Sequence, residues 1–389
     1  MGFEMVEEKR EPLAKIRVVG VGGGGGNAIN NMILQGMEGV EFIVVNTDAQ
    51  DLQRSRAVQK FQLGSDGLGA GGDPDKGREC ALEDRDRLTE LVEGCDMVFI
   101  AAGMGGGTGT GAAPIVAQIA KECGALTVAV VTRPFSFEGN KRRKQADLGI
   151  ENLRQCVDTL ITIPNQRLLA ITNEKTTVRE AFEKADRVLY QAVKGVSDLI
   201  NISGQVNVDF ADVKSIMEDK GIALMGVGQA ANEDRVMLAA QQAINSPLLS
   251  EVSLSGARSV LVNLTSSSNM GLLEMSEASQ MIEEEAHEDV NLIWGWIVDE
   301  DMGDEVRVTV IATDFQEGWQ PASAVPSSKS TGTKPQGGSN GPGPRGRTTP
   351  RPGSGAPIGG GGFFGGSGTT TPKGTSGGRM PSFFKNDRK

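Results

Sequence analysis

Histidine and cysteine are scarce in this sequence, and their scarcity limits the chemistry available to it. The 389 residues include a single histidine, His287, and four cysteines without a CxxC pair. Zinc sites need closely spaced cysteine and histidine ligands, and disulfide frameworks need cysteine-dense short chains, so the sequence predicts neither. His287 lies in the polar segment EEEAHEDV, where we expect it to be solvated rather than catalytic. Four buried, reduced thiols are expected at Cys80, Cys95, Cys123 and Cys156.

Long apolar segments are also missing. No run approaches the ~18 apolar residues that a membrane-spanning helix needs. The first residues, MGFEMVEEKREP, are acidic and lack the apolar core of a secretory signal, and Val6 stands where a myristoylation motif has Ser or Thr. We therefore expect a cytoplasmic protein that meets a membrane only indirectly.

Basic residues are concentrated in the tail of the chain. Residues 318 to 389 contain ten basic residues and one acidic residue, which leaves 29 basic and 49 acidic residues in positions 1 to 317. Nucleic-acid binding needs clustered Lys and Arg, so an acidic body argues against a nucleic-acid partner. Only the tail has the charge to bind polyanions.

Apolar segments alternate with helical patterns through the first half of the chain. The apolar runs are short and nearly continuous, as in strands buried on both faces, and they lie at 16 to 21, 41 to 46, 97 to 102, 126 to 132 and 159 to 164. Helical patterns lie between them at 27 to 34, 76 to 92, 112 to 122 and 141 to 156. The alternation predicts an α/β fold, with a Rossmann-like parallel sheet in a domain of residues 13 to 176.

A long amphipathic segment leads to a second set of strands. Residues 177 to 202 have helical spacing, which predicts a central helix roughly 35 Å long. Further strands are predicted at 221 to 228, 258 to 264, 291 to 298 and 305 to 312, with helices near 230 to 244 and 271 to 286. The connection DEDMGD predicts that the last two strands form a hairpin. Residues 203 to 317 are thus expected to form a second, mixed α/β domain.

The two ends of the chain have no such pattern. Residues 1 to 12 are predicted to be a flexible N-terminus. The segment from 318 onward contains 19 of the 53 glycines and 10 of the 16 prolines, which predicts a disordered linker over 318 to 378. Apolar side chains return in RMPSFFKNDRK, so residues 379 to 389 are predicted to bind a partner protein.

A glycine-rich segment follows the first predicted strand. Gly20, Gly22 and Gly25 match GxGxxG, and Asp48 follows the second strand where a Rossmann enzyme places its ribose-binding acid. Peptide N–H groups without a neighbouring Cβ can approach phosphate oxygens at a helix N-terminus. The pattern alone suits a dinucleotide, and glycines also serve for close packing of a helix on a strand.

A second glycine-rich segment, AAGMGGGTGTGAAP, follows a later strand and favours a different ligand. Its expected free N–H groups are those of Gly105, Gly106, Gly107 and Thr108, and the Thr108 and Thr110 hydroxyls could bind phosphate or magnesium. Two such turns on neighbouring strand ends suit a compact triphosphate better than an extended dinucleotide. Neither is a Walker A motif, because no GK[ST] follows.

The sequence resembles the tubulin/FtsZ superfamily from about residue 15 to residue 312. The resemblance is carried by VNTDAQ, LGAGGDP, GGGTGTGAAP, VTRPFSFEG, NQRLL, AFEKADRVL and NVDFADV, in that order along the chain. It implies a GTP-binding domain, a central helix and a second domain that activates hydrolysis. It also implies a GTPase that polymerises head to tail and forms the cytokinetic ring at the division site of a bacterial cell.

The resemblance assigns most of the nucleotide site. It implies that GTP or GDP, with magnesium held mainly by phosphates and water, is bound by Gly22, Gly23, Gly24, Gly25, Gly26, Asn27, Asp48, Ala70, Gly71, Gly103, Gly105, Gly106, Gly107, Thr108, Gly109, Thr132, Pro134, Glu138, Arg142, Asn165, Phe182 and Asp186. Guanine offers N1–H and the exocyclic amine as adjacent donors, which a carboxylate such as Asp186 can accept together. Phe182, one turn earlier, could stack on the base. Without the resemblance, Asp186 would be interpreted as a solvated acid paired with Lys184 or Arg187.

The resemblance also assigns catalytic residues that act on another copy of the chain. In the family, the segment NVDFADV approaches the nucleotide of the next subunit, with Asp209 and Asp212 positioning water and Asn207 completing the site. A central helix roughly 35 Å long would prevent a subunit from completing its own site. The alternative is that Asp209 and Asp212 only stabilise the start of a surface helix.

The last residues match the family's terminal peptide in part. Met380, Pro381, Phe383 and Phe384 fit its apolar positions, but Arg379 stands where an acid is usual. The resemblance implies that a membrane tether such as FtsA binds this peptide. The Arg379 difference bears on the affinity of the peptide for that tether.

Two other functions fit parts of the sequence. GVGGGG with Asp48 would suit an NAD-dependent oxidoreductase, although the second glycine turn and the lack of a histidine acid disfavour it. A scaffold that binds a nucleotide without hydrolysing it is the other.

Overall fold

The computed structural model describes residues 14–171, 176–202, 204–206, 208–249 and 254–315. All of them belong to one compact unit. The predictions for residues 1 to 12, for the linker at 318 to 378 and for the peptide at 379 to 389 lie outside the described residues, as does Asn207.

Ten strands of the described residues form one continuous sheet. The strands are β1 (Ile16–Val21), β2 (Glu41–Asn46), β3 (Gln59–Gln62), β4 (Met97–Gly103), β5 (Leu126–Arg133), β6 (Thr159–Pro164), β7 (Gly221–Ala230), β8 (Ala257–Ser266), β9 (Asn291–Val298) and β10 (Val306–Phe315). Their order is β3-β2-β1-β4-β5-β6-β7-β10-β8-β9. Every pair from β3 to β7 is parallel, as is β8 with β9, whereas β10 is antiparallel to β7 and β8. The predicted α/β fold with a parallel sheet and a mixed second part is confirmed.

Eleven α-helices connect these strands within the described residues. They are α1 (Gly22–Leu34), α2 (Ala49–Arg54), α3 (Pro74–Glu83), α4 (Arg85–Val92), α5 (Thr108–Glu122), α6 (Asn140–Arg154), α7 (Asn165–Leu168), α8 (Val178–Asn201), α9 (Phe210–Met217), α10 (Arg235–Ile244) and α11 (Leu272–Glu285). The long central helix α8 begins with a capping box. The Thr177 hydroxyl accepts a hydrogen bond from Glu180 N at 3.2 Å, and the Glu180 carboxylate accepts one from Thr177 N at 2.7 Å.

Helices and sheet enclose three groups of buried apolar side chains. Two groups lie on either face of the parallel strands, centred on Phe99 and Ile100, which are successive residues of β4 and point to opposite faces. Helix α8 contributes Val188, Leu189 and Val196 to the first group. The third group lies between α10, α11 and the antiparallel strands. Full burial on both faces explains why the apolar runs located the strands so well.

Two predicted elements differ from the structure. The segment 76 to 92 contains two helices rather than one, because Asp84 leaves helical geometry and its carboxylate accepts a hydrogen bond from Gly64 N at 2.8 Å. The predicted hairpin of β9 and β10 is wrong. β10 pairs with β7 and β8, so β8 lies between the two strands that DEDMGD connects.

The cysteine prediction is also partly wrong. All four cysteines are free thiols, but only Cys95 is buried, and Cys80, Cys123 and Cys156 are partly exposed. Among the described helices, none is long and apolar enough to cross a membrane.

Candidate functional site

The first glycine turn is pressed against the end of a neighbouring strand. It leaves β1 at Val21 and enters α1 at Gly22, whose φ of +72° is in the region that favours glycine. A Cβ on Gly25 would lie 2.2 Å from the carbonyl oxygen of Ala101 in β4, and one on Gly24 would lie 3.0 Å from Gly103 Cα. Gly25 and Gly26 are buried, whereas Gly23, Gly24 and Asn27 are exposed. The buried glycines of this turn therefore serve for packing, whereas the exposed ones lie at the surface.

The second glycine turn connects β4 to α5 and contacts the first. A Cβ on Gly22 would lie 2.8 Å from Gly109 N, so the two turns are in direct contact. Helix α5 begins at Thr108, and the N–H groups of its first turn have no acceptor within the helix. These N–H groups, together with those that open α1, form an edge that favours anions.

One expected donor of this edge is already engaged. The N–H group of Gly105 donates to Thr110 Oγ1 at 2.8 Å inside the turn. The prediction of a free N–H group at Gly105 is therefore wrong, because this group is bonded to the Thr110 hydroxyl. Gly106 lies in open space, since a Cβ there would have no neighbour within 4 Å.

Thr47 supports the second turn, although the sequence did not single it out. Its hydroxyl lies 2.6 Å from the hydroxyl of Thr108, and both side chains are buried. Because one hydroxyl donates to the other, this bond orients the Thr108 side chain at the start of α5. The only sequence signal was that Thr47 lies inside VNTDAQ, directly after β2.

The segment around Ala70 borders the second turn. A Cβ on Gly107 would lie 2.7 Å from the Ala70 side chain, whereas Gly71 is exposed. Asp48 lies beside this segment and pairs with Leu68 in an isolated bridge. Its carboxylate accepts a hydrogen bond from Gln50 N at 2.8 Å and so caps α2. In this structure Asp48 therefore has a structural role at the position predicted for a ribose contact.

The ends of β5 and β6 extend the same edge of the sheet. Thr132 is buried beside Gly103, and Pro134 lies two residues further along the chain. Glu138 accepts hydrogen bonds from Phe135 N at 2.9 Å and from the guanidinium of Arg142 at 2.5 Å. Asn165 follows β6 and is 4% exposed, and its Oδ1 has no hydrogen-bond partner among the described residues. A buried carbonyl oxygen without a partner is costly, which suits an atom that accepts from a ligand.

Three phenylalanines form an aromatic group where α8 meets this edge. The Phe182 ring packs edge-on against Phe135 at 5.3 Å and Phe137 at 6.2 Å between ring centroids. Phe182 is 39% exposed and Phe137 is 60% exposed, so aromatic surface remains available to a planar ligand.

Asp186 lies one turn beyond Phe182 and has an unusual pKa. Burial raises the pKa of its carboxyl from 3.8 to about 7, with a further contribution from the negative charge of Glu183. Among the described residues it forms no ion pair, so the alternative that paired it with Lys184 or Arg187 is not what the structure shows. A half-buried carboxyl near the aromatic group is well suited to accept ligand N–H groups.

Asp209 and Asp212 lie at the start of α9 with exposed side chains. Asp209 caps the helix by accepting a hydrogen bond from Asp212 N at 2.8 Å. Capping alone accounts for this contact, and it leaves the second oxygen of Asp209 and the whole Asp212 carboxylate facing solvent.

The chain places these acids and the glycine turns at opposite edges of the sheet. Gly22, Thr108, Glu138 and Asn165 all follow parallel strands, so they share the carboxyl edge. Helix α8 begins at this edge, where Phe182 meets Phe135. It ends at the amino edge, where the side-chain amide of Asn201 donates to Gly39 O, just before β2, at 2.7 Å. Helix α9 follows that end of α8, which separates Asp209 and Asp212 from the rest of the candidate site.

Two protein-family models match this chain. The family model described as "Tubulin/FtsZ family, GTPase domain" matches residues 15–173, and that described as "FtsZ family, C-terminal domain" matches residues 221–316. An empty FtsZ dimer of M. jannaschii is 44% identical over 77% of this chain and 88% of its own, with a TM-score of 0.74. A point mutant of FtsZ from M. jannaschii is 43% identical over 78% and 92%, with a TM-score of 0.75.

A more distant structure shares the fold alone. CetZ2 from Haloferax volcanii, described as a GTPγS-bound protofilament, is 19% identical over 78% of this chain and 94% of its own, with a TM-score of 0.65. The family matches favour a GTPase over the NAD-dependent oxidoreductase that the first glycine turn alone suggested.

Packing at Gly25 gives a first prediction. Gly25→Ala places a Cβ against a backbone carbonyl that cannot move freely, so we expect the free energy of unfolding to fall by about 2 kcal/mol or more. Gly23→Ala is the matched control, because its Cβ would meet only Asp51 Oδ2 at 3.2 Å. We expect the control to change the free energy by less than about 1 kcal/mol, since Ala is the better helix former. Urea denaturation without nucleotide measures both, and equal losses would contradict the packing argument.

The raised pKa of Asp186 gives a second prediction. Its pKa in the fold, about 7, exceeds the 3.8 of a solvated carboxyl, so its stabilising contribution is full below about pH 4 and is lost as the pH rises through 7. Asp186→Asn cannot ionise. We therefore expect this variant to gain stability relative to the wild type between pH 5 and pH 8, measured by urea denaturation without nucleotide. A stability difference that is independent of pH would contradict the raised pKa.

Proposed function

This chain belongs to the tubulin/FtsZ family of GTPases, and from that premise we propose that it forms the cytokinetic ring of a dividing bacterial cell. In this proposal the protein polymerises head to tail and hydrolyses GTP at each junction between subunits. One observation carries the proposal: the glycine turns and the exposed acids of α9 lie at opposite edges of the same sheet.

A site divided in this way is completed only by a second subunit. The carboxyl edge of one subunit would carry the nucleotide, and the amino edge of the next would bring Asp209 and Asp212. The family resemblance adds Asn207 to these catalytic residues. Contact between two different surfaces of identical subunits is heterologous, so it extends into open filaments rather than closed dimers. Phosphoryl transfer depends mostly on positioning and charge stabilisation, so assembly itself would switch hydrolysis on.

The side chains at the base end favour guanine. Asp186 in its ionised form accepts the two adjacent N–H groups that guanine offers, and Phe182 provides an aromatic face. The unpartnered Oδ1 of Asn165 would accept from the base or the ribose, and Glu138 with its ion-pair partner Arg142 would contact the ribose. Because binding favours the ionised carboxyl, GTP uptake below pH 7 would release a proton.

The phosphate end supplies backbone N–H donors, and among the described residues no group of three or more Asp, Glu, His or Cys side chains could hold a metal ion. The N–H groups at the starts of α1 and α5 suit phosphate oxygens, with Gly22 to Asn27 on one side and Gly103 to Gly109 on the other. This donor set fits a magnesium ion held by phosphate oxygens and water rather than by protein carboxylates. When bound, the ion would neutralise charge on the phosphates. Asp209 and Asp212 of the neighbouring subunit would orient the attacking water, and loss of the γ-phosphate would weaken the junction.

The same proposal assigns a role to each part of the chain. Residues 13 to 176 would form the GTP-binding domain and residues 203 to 317 the activating domain, on either side of the central helix at 177 to 202. The limits of the two family matches, 15–173 and 221–316, support these boundaries. Residues 379 to 389 would bind a membrane tether such as FtsA. The linker at 318 to 378 would connect this peptide to the activating domain. The protein would then act in the cytoplasm at midcell and touch the membrane only indirectly.

Removing the charge of Asp209 tests the catalytic assignment. Asp209→Asn keeps a good helix cap but loses the negative charge, so α9 should stay folded. We expect kcat for GTP to fall by about 100-fold or more, while the affinity for GTP changes less than about twofold. Steady-state hydrolysis and fluorescent-nucleotide binding measure the two.

Ser215→Ala on the same helix is the control for that experiment. Its hydroxyl donates to Asp212 O within α9. We expect this variant to retain wild-type turnover. Full turnover in Asp209→Asn would remove the Asp209 charge from the mechanism.

Guanine selectivity tests the role of Asp186. An Asn at this position offers one acceptor and one donor, which complements xanthine, whose C2 carbonyl replaces the guanine amine. We expect Asp186→Asn to bind XTP at least about tenfold more tightly than GTP, the reverse of the wild type. We also expect the weakening of GTP binding below pH 7 to occur only in the wild type. Isothermal titration at pH 6 and pH 8 measures both effects, and an unchanged preference for GTP would place the base elsewhere.

A further inference from the structure

A lysine at the far end of α5 joins the helix of the phosphate site to the helix of the catalytic acids. Helix α5 begins at the second glycine turn and carries Lys121 in its last turn. Lys121 Nζ lies 2.8 Å from Asp158 Oδ1 and 2.6 Å from Asp219 Oδ1. Burial alone would lower the pKa of Lys121, but its hydrogen bonds to the two carboxylates raise it, so the lysine is charged. One cation therefore connects three separate parts of the chain.

The Asp158 side of this connection is built into the sheet. Asp158 is 4% exposed, and its other carboxylate oxygen accepts a hydrogen bond from Thr127 N at 2.8 Å. Its backbone carbonyl accepts from Gly221 N at 2.9 Å. Asp158 is thus fixed between the starts of β5, β6 and β7, and it holds Lys121 against the amino edge of the sheet.

The Asp219 side of the connection holds the end of α9. Asp219 follows α9 by two residues and has a φ of +55°, a conformation that costs energy for a residue with a side chain. Buried hydroxyls fix the same end, because Thr313 donates to Ile216 O at 2.9 Å and Thr159 donates to Met217 O. The end of α9 is therefore anchored, while Asp209 and Asp212 project from its other end.

We propose that Lys121 is a positioning residue for GTP hydrolysis, which fixes α9 so that Asp209 and Asp212 meet the nucleotide of the next subunit in the correct orientation. The proposal rests on the shared site proposed above. Lys121 would therefore affect hydrolysis of the GTP that is bound by the neighbouring subunit. Helix α9 has only eight residues, so a small rotation at its anchored end displaces the acids at the other end. Displacements of this size are costly for a reaction that depends on positioning.

The position of Asp219 makes this role separable from stability. Its side chain is 75% exposed, and exposed ion pairs contribute little to the free energy of unfolding. Asn adopts positive φ more readily than most residues other than Gly, so Asp219→Asn removes the charge without new backbone strain. Lys121→Met is the stronger change, because it also leaves the buried Asp158 carboxylate without its cation.

The first experiment compares variants of the full chain. We expect kcat in Asp219→Asn to fall roughly three- to tenfold, with GTP affinity and the critical concentration for assembly within about twofold of the wild type. The double variant Lys121→Met with Asp219→Asn should be no slower than Lys121→Met alone, because both changes break one connection. Lys121→Arg should recover part of the rate.

The matched control removes an ion pair at the same end of α5. Arg85 in α4 pairs with Glu122, the neighbour of Lys121, so this ion pair joins α4 to α5. Arg85→Met should therefore retain wild-type turnover. Wild-type turnover in Asp219→Asn and Lys121→Met, or an equal loss in Arg85→Met, would overturn the proposal.

A mixing experiment determines on which subunit Lys121 acts. Lys121→Met should keep a working nucleotide pocket but have a displaced α9. Asp209→Asn should also keep a working pocket, but its α9 lacks a catalytic acid. A mixture of these two variants should therefore stay slow. A mixture of Lys121→Met with Asp186→Ala, which lacks a pocket but has an intact α9, should hydrolyse GTP faster than the sum of its parts.

The opposite pattern would overturn the assignment. Recovery with Asp209→Asn would place the effect of Lys121 in its own nucleotide pocket. The reference mixture of Asp186→Ala with Asp209→Asn should recover activity if the site is shared at all. Failure of the reference mixture would refute the shared site, whereas failure of the Lys121 mixtures alone would refute only the role of Lys121.

Discussion

The close approach of the first glycine turn to β4 is the constraint on which the rest of the site depends. A Cβ at Gly25 would lie 2.2 Å from the carbonyl oxygen of Ala101, and one at Gly22 would lie 2.8 Å from Gly109 N. Because these backbones touch, the first turns of α1 and α5 open side by side at the carboxyl edge of the sheet. Two sets of N–H groups then face one volume, which suits a compact polyphosphate.

The second determinant of function is the direction of α8. Its first turns carry Phe182 and Asp186 at the nucleotide edge, and its last residue, Asn201, contacts Gly39 at the opposite edge. In the proposed function, the helix contributes to the nucleotide pocket and also separates the acids of α9 from it. A single subunit would then be an incomplete enzyme, and the proposed filament would complete it. The Lys121 contacts would give the distant acids a fixed orientation.

The sequence predicted those features that depend on local pattern. Apolar runs located β1, β2, β4, β5 and β6 because these parallel strands are largely buried on both faces, whereas the mostly exposed edge strand β3 was missed. The glycine segments marked the turns that close packing requires. Features that depend on residues far apart in the chain were missed. DEDMGD resembles a hairpin connection, yet β8 pairs between β9 and β10, which only the whole sheet determines. Thr47, the raised pKa of Asp186 and the contact of Lys121 with Asp219 likewise arise only when separate segments fold together.

Dependence of GTP hydrolysis on protein concentration tests the central claim most directly, because a shared site exists only between subunits. Hydrolysis per molecule would be measured across a dilution series, with light scattering recorded on the same samples. We expect specific activity to be negligible below a threshold concentration and to rise as scattering appears. Constant specific activity on dilution would show that each subunit hydrolyses GTP alone, and would contradict the roles proposed for Asp209, Asp212 and Lys121.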